Sequence, residues 1–308
     1  MTRRALVTGA SGFVGRHLVA RLVTDGWHVR ALCRRAAPAG ADAVPADADL
    51  HALAASVGID AVFHLAAAVS SAVAPEDLSA SLESNVGVGL RVLDAFGPRC
   101  PIVLTGSMWQ HVDAQPYRAA TLYAALKQAQ LDVAAYYADT GATVADVELT
   151  DTYGADDDRA RLLGALLVAA RTGEPLALTP GEQLVDLVHV DDVVEGLVRA
   201  HTAAREAGPG LHRWSVSSGA PITVRELVAR CASAWGRAVP VQFGARPYRA
   251  HEMFTPWTVH PAVPGHDAPR RPLVSGLAAL DRPSDGASTR SSDRPQEAHR
   301  GPIHAHHP

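Results

Sequence analysis

Lysine is all but missing from this chain. Of its 28 Lys and Arg residues, every one except Lys127 is arginine. Cysteine is scarce too: Cys33, Cys100 and Cys231 are far apart and odd in number. That excludes a disulfide framework and fits a reducing compartment, so the cytoplasm is the expected location. No apolar run is long enough to span a bilayer, and the opening "MTRRALVTGA" has no hydrophobic stretch of signal-peptide length, so no membrane association is expected. There is no surplus of positive charge. The formal net charge of −4 leaves no basic field to attract nucleic acid or an anionic surface. No internal repeat is visible. What remains is 308 residues, 47% hydrophobic and 19% charged, enough for one large domain or two modest ones with a sizeable core.

Short apolar stretches alternate with amphipathic ones through the first half. "RALVT", "HVRALCR", "DAVFHLAAA", "PIVLTGS" and the start of "ATVADVELTDTYG" read as strands. "RHLVARLVTDG", "SNVGVGLRVLDAF" and "TLYAALKQAQLDVAAYYADTG" read as helices between them. This alternation predicts an α/β fold, a Rossmann-type doubly wound parallel sheet with a smaller C-terminal α/β lobe. The expected division is 1–154 plus about 176–202 for the first part and about 155–175 plus 203–280 for the second. From about Pro283 the composition turns to Ser, Asp, Arg, Pro and His, and 281–308 is expected to be a disordered tail. The histidine-rich "HAHH" near its end has no acid or cysteine at ligand spacing, and no metal is expected in the chemistry.

"TGASGFVG" places Gly9, Gly12 and Gly15 between the first strand and the first helix. Gly9 allows a tight turn, Gly12 lets backbone approach a pyrophosphate, and Gly15 permits close packing of the helix. Ser11, Phe13 and Val14 complete the candidate cofactor turn. The second strand ends in "LCRR", where a cofactor with free ribose hydroxyls calls for an acid and a 2′-phosphate calls for arginine. Arg34 and Arg35 stand there without an acid, so NADP (as NADPH) is expected in preference to NAD.

Tyr123 and Lys127 are four apart and share a helix face. A tyrosine is a poor acid or base at neutral pH, and a neighbouring ammonium is expected to lower its pKa. Lysine's compact head also suits two ribose hydroxyls better than a flat guanidinium does. Ser107, at the end of "PIVLTGS", is placed to hydrogen-bond a reacting oxygen. Ser107, Tyr123 and Lys127 with a nicotinamide supply what carbonyl reduction needs.

With those motifs in view, the chain resembles the extended short-chain dehydrogenase/reductases, the NAD(P)-dependent NDP-sugar epimerase/dehydratase family, over about residues 4–280. The resemblance implies that "HLAAA", with Leu65, Ala66 and Ala67, runs under the cofactor. It implies that Asp47 and Ala48 in "PADADL" lie near the adenine, that Asn85 is the helix asparagine common in the family, and that Ser107, Tyr123 and Lys127 form the catalytic set. It also implies a substrate-binding second lobe, entered through "VDLVHVDDVVEGL", and a homodimer formed through the helix carrying Tyr123 and its neighbour.

Departures from the family pattern bear on the reaction. The family's 4,6-dehydratases carry an acidic pair just after the catalytic Ser or Thr. Met108 and Trp109 stand there in this sequence, and neither takes a proton. Trp109 is expected to hold one face of the sugar fixed. "TGSMWQH", "LTDTYG" and "GARPYR" are most like NDP-4-keto-6-deoxyhexose 4-ketoreductases of deoxysugar biosynthesis. A nucleotide-sugar pyrophosphate needs cations, and Arg246, Tyr248 and Arg249 in one loop are the first candidates, with Arg159 and Arg161 the second. His189, Asp191 and Asp192 read as structural. Two other readings stay open: an NDP-sugar 4-epimerase with tightly held NAD, and a nucleotide-binding regulatory protein without turnover.

Overall fold

The computed structural model describes residues 2–34, 36–56, 58–69, 74–159, 161–249, 252–256, 260–267 and 270–281. Arg35 and the expected tail beyond Asp281 lie outside the described residues.

The chain opens with β1 (Arg4–Thr8), α1 (Phe13–Thr24), β2 (His28–Cys33) and β3 (Ala41–Pro45). Then come α2 (Leu50–Ser56), β4 (Ala61–His64), α3 (Leu78–Leu82), α4 (Val88–Phe96) and β5 (Ile102–Ser107). α5 (Leu122–Asp139) leads to β6 (Thr143–Leu149), and β7 (Asp151–Tyr153) to α6 (Leu162–Thr172). Three short strands follow, β8 (Leu176–Ala177), β9 (Leu184–Val185) and β10 (Leu187–His189), before α7 (Val190–Ala207) and β11 (Gly210–Val216). The last elements are β12 (Ile222–Thr223), α8 (Val224–Trp235), β13 (Val241–Gln242) and α9 (Leu273–Leu280). Among the described residues no helix is long and apolar enough to cross a membrane.

Seven strands form one parallel sheet in the order β11-β6-β5-β4-β1-β2-β3. The chain starts mid-sheet, builds outward to β3, then crosses back and builds the other way from β4. The reversal between β1 and β4 opens a crevice at the carboxyl ends of the strands, where ligands of open α/β sheets sit. All six residues of β5 are buried, as expected of a central strand covered on both faces. On one face, Leu18, Leu22, Val193 and Leu197 of α1 and α7 pack against Val7, Val29 and Val147. On the other, Val92, Leu93, Phe96, Ala134 and Ala138 of α4 and α5 pack against Leu6, Val62 and Val144.

A third core joins Tyr153, Leu166, Leu227, Cys231, Trp235 and Leu277 in the second lobe. Trp235 Nε1 donates to the Leu277 carbonyl at 2.9 Å and ties α8 to α9. The division differs from the expected one in two places. β11, inside the stretch 203–280, pairs with β6 along its whole length and lies in the large sheet. β8 and β9, inside 176–202, pair with β13 and β12 in the smaller lobe. Two-residue strands bury too little to show a period, so short apolar runs at 176–185 carried no mark of the sheet they join. α1 also begins at Phe13, so Gly15 lies in its first turn rather than in the loop before it.

Candidate active site

The glycine turn is built by contact, not by flexibility alone. Gly9 has φ +66, and a Cβ there would stand 2.6 Å from Ala66 N and 2.7 Å from the Leu65 carbonyl carbon. At Gly15 a Cβ would collide with the Gly9 carbonyl oxygen. Around Gly12 only the Gly9 oxygen is near, at 3.2 Å, so space lies open in front of it. No side chain caps α1 and its first turn has no acid. Uncapped amide protons, the positive end of a helix dipole and an open glycine edge together fit the pyrophosphate of a dinucleotide. Ser11 is exposed beside them and Val14 half-buried, while the Phe13 ring is buried against Arg159, whose guanidinium carbon is 4.4 Å from the ring centre.

The strand end beside this turn is held firmly. Leu65 N donates to Thr8 O at 3.2 Å and Ala66 N to Thr8 Oγ1 at 3.1 Å. Asn85 is fully buried in a π-helical turn at Glu83–Gly87. Its Oδ1 accepts from Ala68 N at 3.2 Å, and its Nδ2 donates to Ala68 O at 3.1 Å and Ser81 O at 2.9 Å. A π turn re-aims one side chain inside a helix, which here brings an amide onto the peptide after Ala67. Arg34 is exposed just after β2, Asp47 is exposed in the turn after β3, and Ala48 is half-buried next to it.

Ser107 ends β5 and starts a short turn. Its Oγ accepts from Trp109 N at 3.3 Å, and Gln110 Oε1 accepts from Ser107 N at 3.0 Å. A hydroxyl used as acceptor keeps its proton for a ligand. Gln110 Nε2 donates to Gln128 Oε1 at 3.0 Å, fastening this turn to α5 one residue after Lys127. Thr121 caps α5, accepting from Ala124 N at 3.2 Å. Lys127 is 2% exposed, with Nζ 3.5 Å from Thr105 Oγ1 and 5.9 Å from the centre of the Tyr123 ring.

The expected lowering of Tyr123 by Lys127 does not hold in this structure. Burial pushes the Tyr123 phenol up to about 12, with Arg161 and then Arg159 pulling against it. Burial also weakens Lys127, taking its ammonium down to about 8, opposed by the charge of Asp146. The two groups share a helix face, Tyr123 half-buried and Lys127 buried, and desolvation is the largest cause acting on each.

Met108 is buried, and Trp109 is half-buried at the turn. Beyond them lie groups that sequence reasoning missed. His111 Nε2 and Glu148 Oε2 are 2.8 Å apart in a fully buried pair. Burial alone would lower His111, but the hydrogen bond and charge of Glu148, with the carbonyls of Gln115 and Pro116, raise it. Asp146 is buried beside it, its Oδ2 3.3 Å from Arg213 Nε, with the carboxyl raised to about 6 by burial. The signal was in "ATVADVEL": two acids at alternate positions put both on one face of a buried strand.

The arginines expected to meet the substrate separate. Arg159 is bound to both carboxylate oxygens of Asp157, at 2.6 and 2.7 Å, and donates to Thr152 O at 2.7 Å. It lies against the cofactor turn. Arg161 is half-buried and is the leading charge acting on Tyr123 and on Asp151, whose carboxyl burial raises to about 6. Arg246 and Arg249 are exposed. Tyr248 is spent on structure: its hydroxyl accepts from Glu182 N at 3.1 Å and its ring meets Phe254 edge-on at 4.8 Å. His189 caps α7, accepting from Asp191 N at 3.2 Å. Asp192 accepts from Arg270 N at 2.9 Å and Arg271 N at 3.1 Å.

Residues 5–213 match the model of the NAD dependent epimerase/dehydratase family. A UDP-glucose 4-epimerase of Mycolicibacterium smegmatis is 30% identical over 268 residues, 76% of this chain and 83% of that protein. A 4-hydroxy-2-methyl-3-oxo-4-farnesyl-3,4-dihydroquinoline-1-oxide ketoreductase of Stigmatella aurantiaca is 29% identical over 80% of this chain and 77% of its own length. CDP-abequose synthases are similar too. That of Salmonella typhimurium is 26% identical over 80% of this chain and 87% of its own. The match to the one from Yersinia pseudotuberculosis, at 25%, spans half of that protein. Among solved structures, MoeE5 in complex with UDP-glucose and NAD superposes with a TM-score of 0.77 at 25% identity, over 90% of this chain and 97% of that one.

Proposed function

This chain belongs to the NAD-dependent epimerase/dehydratase family and is an NAD(P)-dependent enzyme, and from that premise we propose that it reduces the 4-keto group of a nucleotide-linked deoxysugar with NADPH. One observation carries the reading. The two positions after Ser107 hold Met108 and Trp109, which cannot take a proton from carbon, while Tyr123 is held as a neutral phenol, a form able to give one.

A bound nicotinamide dinucleotide supplies the hydride. The glycine turn, the backbone at Ala66 and Ala67, Arg34 and Lys127 are the groups that hold it, with Asp47 and Ala48 toward its adenine. Ser107 donates a hydrogen bond to the carbonyl oxygen, keeping its proton, and polarises the carbonyl. Tyr123 passes its proton to that oxygen as the hydroxyl forms. Lys127 steadies the phenolate left behind. Trp109 covers one face of the sugar, and Arg161, with Arg159, Arg246 and Arg249, offers cations to the substrate's phosphates. The ketoreductase named among the relatives supports the reaction type, and the CDP-abequose synthases support a nucleotide-sugar substrate. Three cysteines, odd in number and far apart in the sequence, fit a reducing compartment. Exposed Leu82, Leu90 and Tyr136 on α3, α4 and α5 fit a homodimer through that face.

A second reading, a 4-epimerase with retained NAD, is favoured by the M. smegmatis relative and by the NAD in the MoeE5 complex. One experiment separates them. Purified protein is given NADPH and the product of an NDP-glucose 4,6-dehydratase, and the loss of NADPH absorbance is followed against an NADH control. Consumption of NADPH matching sugar reduced supports reductase. Bound NAD released on denaturation, with no net NADPH consumption, overturns it in favour of epimerase.

A further inference from the structure

Lys127 is an ammonium in a dry place. It is 2% exposed, it has no carboxylate within ion-pair distance among the described residues, and its nearest polar partner is the Thr105 hydroxyl at 3.5 Å. A buried lysine without a nearby anion loses its proton. Its role in the reading above requires the proton.

One carboxylate stands where it can supply the balance. Asp146 lies on β6, next to β5, which carries Thr105; its strand partner is Leu104. Its Oδ1 fills space that a side chain at position 106 would take: a Cβ on Gly106 would be 3.2 Å from Asp146 Oδ1 and 3.4 Å from Gln110 Oε1. Gly106 therefore opens β5 at the point between the catalytic serine and the acid. Asp146 is itself 4% exposed and is held by Arg213 Nε at 3.3 Å.

The titratable groups nearest Lys127 come from β4, α5, β11 and β6. β4 brings His64, which is fully buried and tied to Thr8 Oγ1 and Gln130 at 2.7 Å each. Burial, helped by the Lys127 charge, keeps His64 neutral, with its ring down at about 3. α5 itself brings Tyr123, a neutral phenol. β11 brings Arg213, a like charge. β6 brings Asp146 and, one pleat further, Glu148, which is committed to His111 at 2.8 Å. Of these only Asp146 both carries negative charge and acts on Lys127 to raise it.

We infer that Asp146 is the counter-charge that keeps Lys127 an ammonium inside the protein, a positioning residue that acts on the chemistry through Lys127 without touching substrate. The inference rests on the reading of Lys127 as the partner of Tyr123 and of the cofactor ribose. A hydrophobic residue at 146 would suit a central strand better, and the strand carries the cost of a buried acid for this charge.

The chain's single lysine makes the test direct. Full-length protein labelled with 13C at lysine Cε gives one side-chain lysine resonance, whose chemical shift is titrated in the absence of any substrate. In wild type the midpoint is expected near 8. In Asp146→Asn it falls by about one pH unit or more, roughly tenfold in acidity. In Asp146→Glu, which restores the charge, it returns toward wild type. A midpoint in Asp146→Asn equal to that of wild type overturns the inference. So does an equal fall in Asp146→Glu, which marks a packing effect. If Asp146→Asn does not fold, the wild-type curve still decides: the Lys127 signal is expected to show a second, smaller step near pH 6 as Asp146 takes a proton, and a curve without that step overturns the inference. Absence of ketoreductase activity leaves these outcomes unaffected and counts only against the proposed function.

Discussion

At the scale of single residues, the site is a set of groups whose proton states are held by burial. Tyr123 sits at about 12 and Lys127 at about 8, so at neutral pH one is a phenol and the other still mostly an ammonium. Tyr123→Phe removes the proposed proton donor and leaves the glycine turn and Lys127 in place. The expected outcome is a fall in kcat of about 10²-fold or more, with NADPH affinity by fluorescence titration unchanged. A parallel fall in NADPH affinity counts against that assignment. The pH dependence follows from Lys127. Its charged form is present below about 8 and is lost above it, so the rate of ketone reduction at saturating NADPH is expected to decline as pH rises through that value. A rate that stays flat from pH 7 to pH 10, measured in stopped assays, removes Lys127 from the mechanism. The Tyr–Lys spacing and the glycine turn were legible in sequence because both are local: a spacing of four on a helix, and seven residues across a turn and the start of a helix. Asp146 was not, and Arg161 was marked only as a cation for phosphate and not as the leading charge acting on Tyr123, because such roles lie in which buried group a residue faces, and that depends on strands and helices far apart in the chain.

At the scale of elements, two ties hold the site's edges. Asn85 in the π turn satisfies both the N–H and the C=O of Ala68. Asn85→Ala removes the partner of both, at about 0.5–1.5 kcal/mol for each part-buried hydrogen bond, and loosens the strand end proposed to run under the cofactor. Urea unfolding is expected to show a loss in that range, and NADPH affinity is expected to fall with it. A π turn does not interrupt the apolar spacing of a helix, so its register shift was invisible in sequence and only the family resemblance marked Asn85. The second tie is His111 with Glu148, joining the turn after β5 to β6. His111 is raised in the folded state, so its contribution is fully present below its ordinary value of 6.5 and is lost as pH rises through the higher folded value. The stability gap between wild type and Glu148→Gln is therefore expected to be wide at pH 6 and to narrow steadily toward alkaline pH. A gap that widens in denaturation curves over that range contradicts the assignment.

For the whole molecule, strand alternation announced the parallel sheet, but the partition into two lobes was legible only in outline. β11 was assigned to the wrong side because a seven-residue strand looks the same in either sheet, and its partner β6 lies more than sixty residues earlier. The crevice proposed for the cofactor falls at the reversal between β1 and β4. The smaller lobe is reached from β6 through β7, and the chain returns to the large sheet at β11 before leaving again for β12. Residues 261–263 then come back to bond Ser215 of β11, and Val263 is buried in the core under the sheet.

That repeated crossing has a consequence for cooperativity. The smaller lobe is not a module that one cut can release, since its pieces are spliced between segments of the large sheet. A nick in an exposed loop of the lobe is expected to leave a particle that still migrates as one body in native conditions. For the same reason the two lobes are expected to melt together, with tryptophan fluorescence from Trp235 in one and Trp27 in the other reporting one midpoint. Two separated midpoints show that the splice does not couple them. Each excursion between lobes also raises the mean sequence distance of native contacts, as the pairing of β11 with β6 does, and that is expected to slow folding.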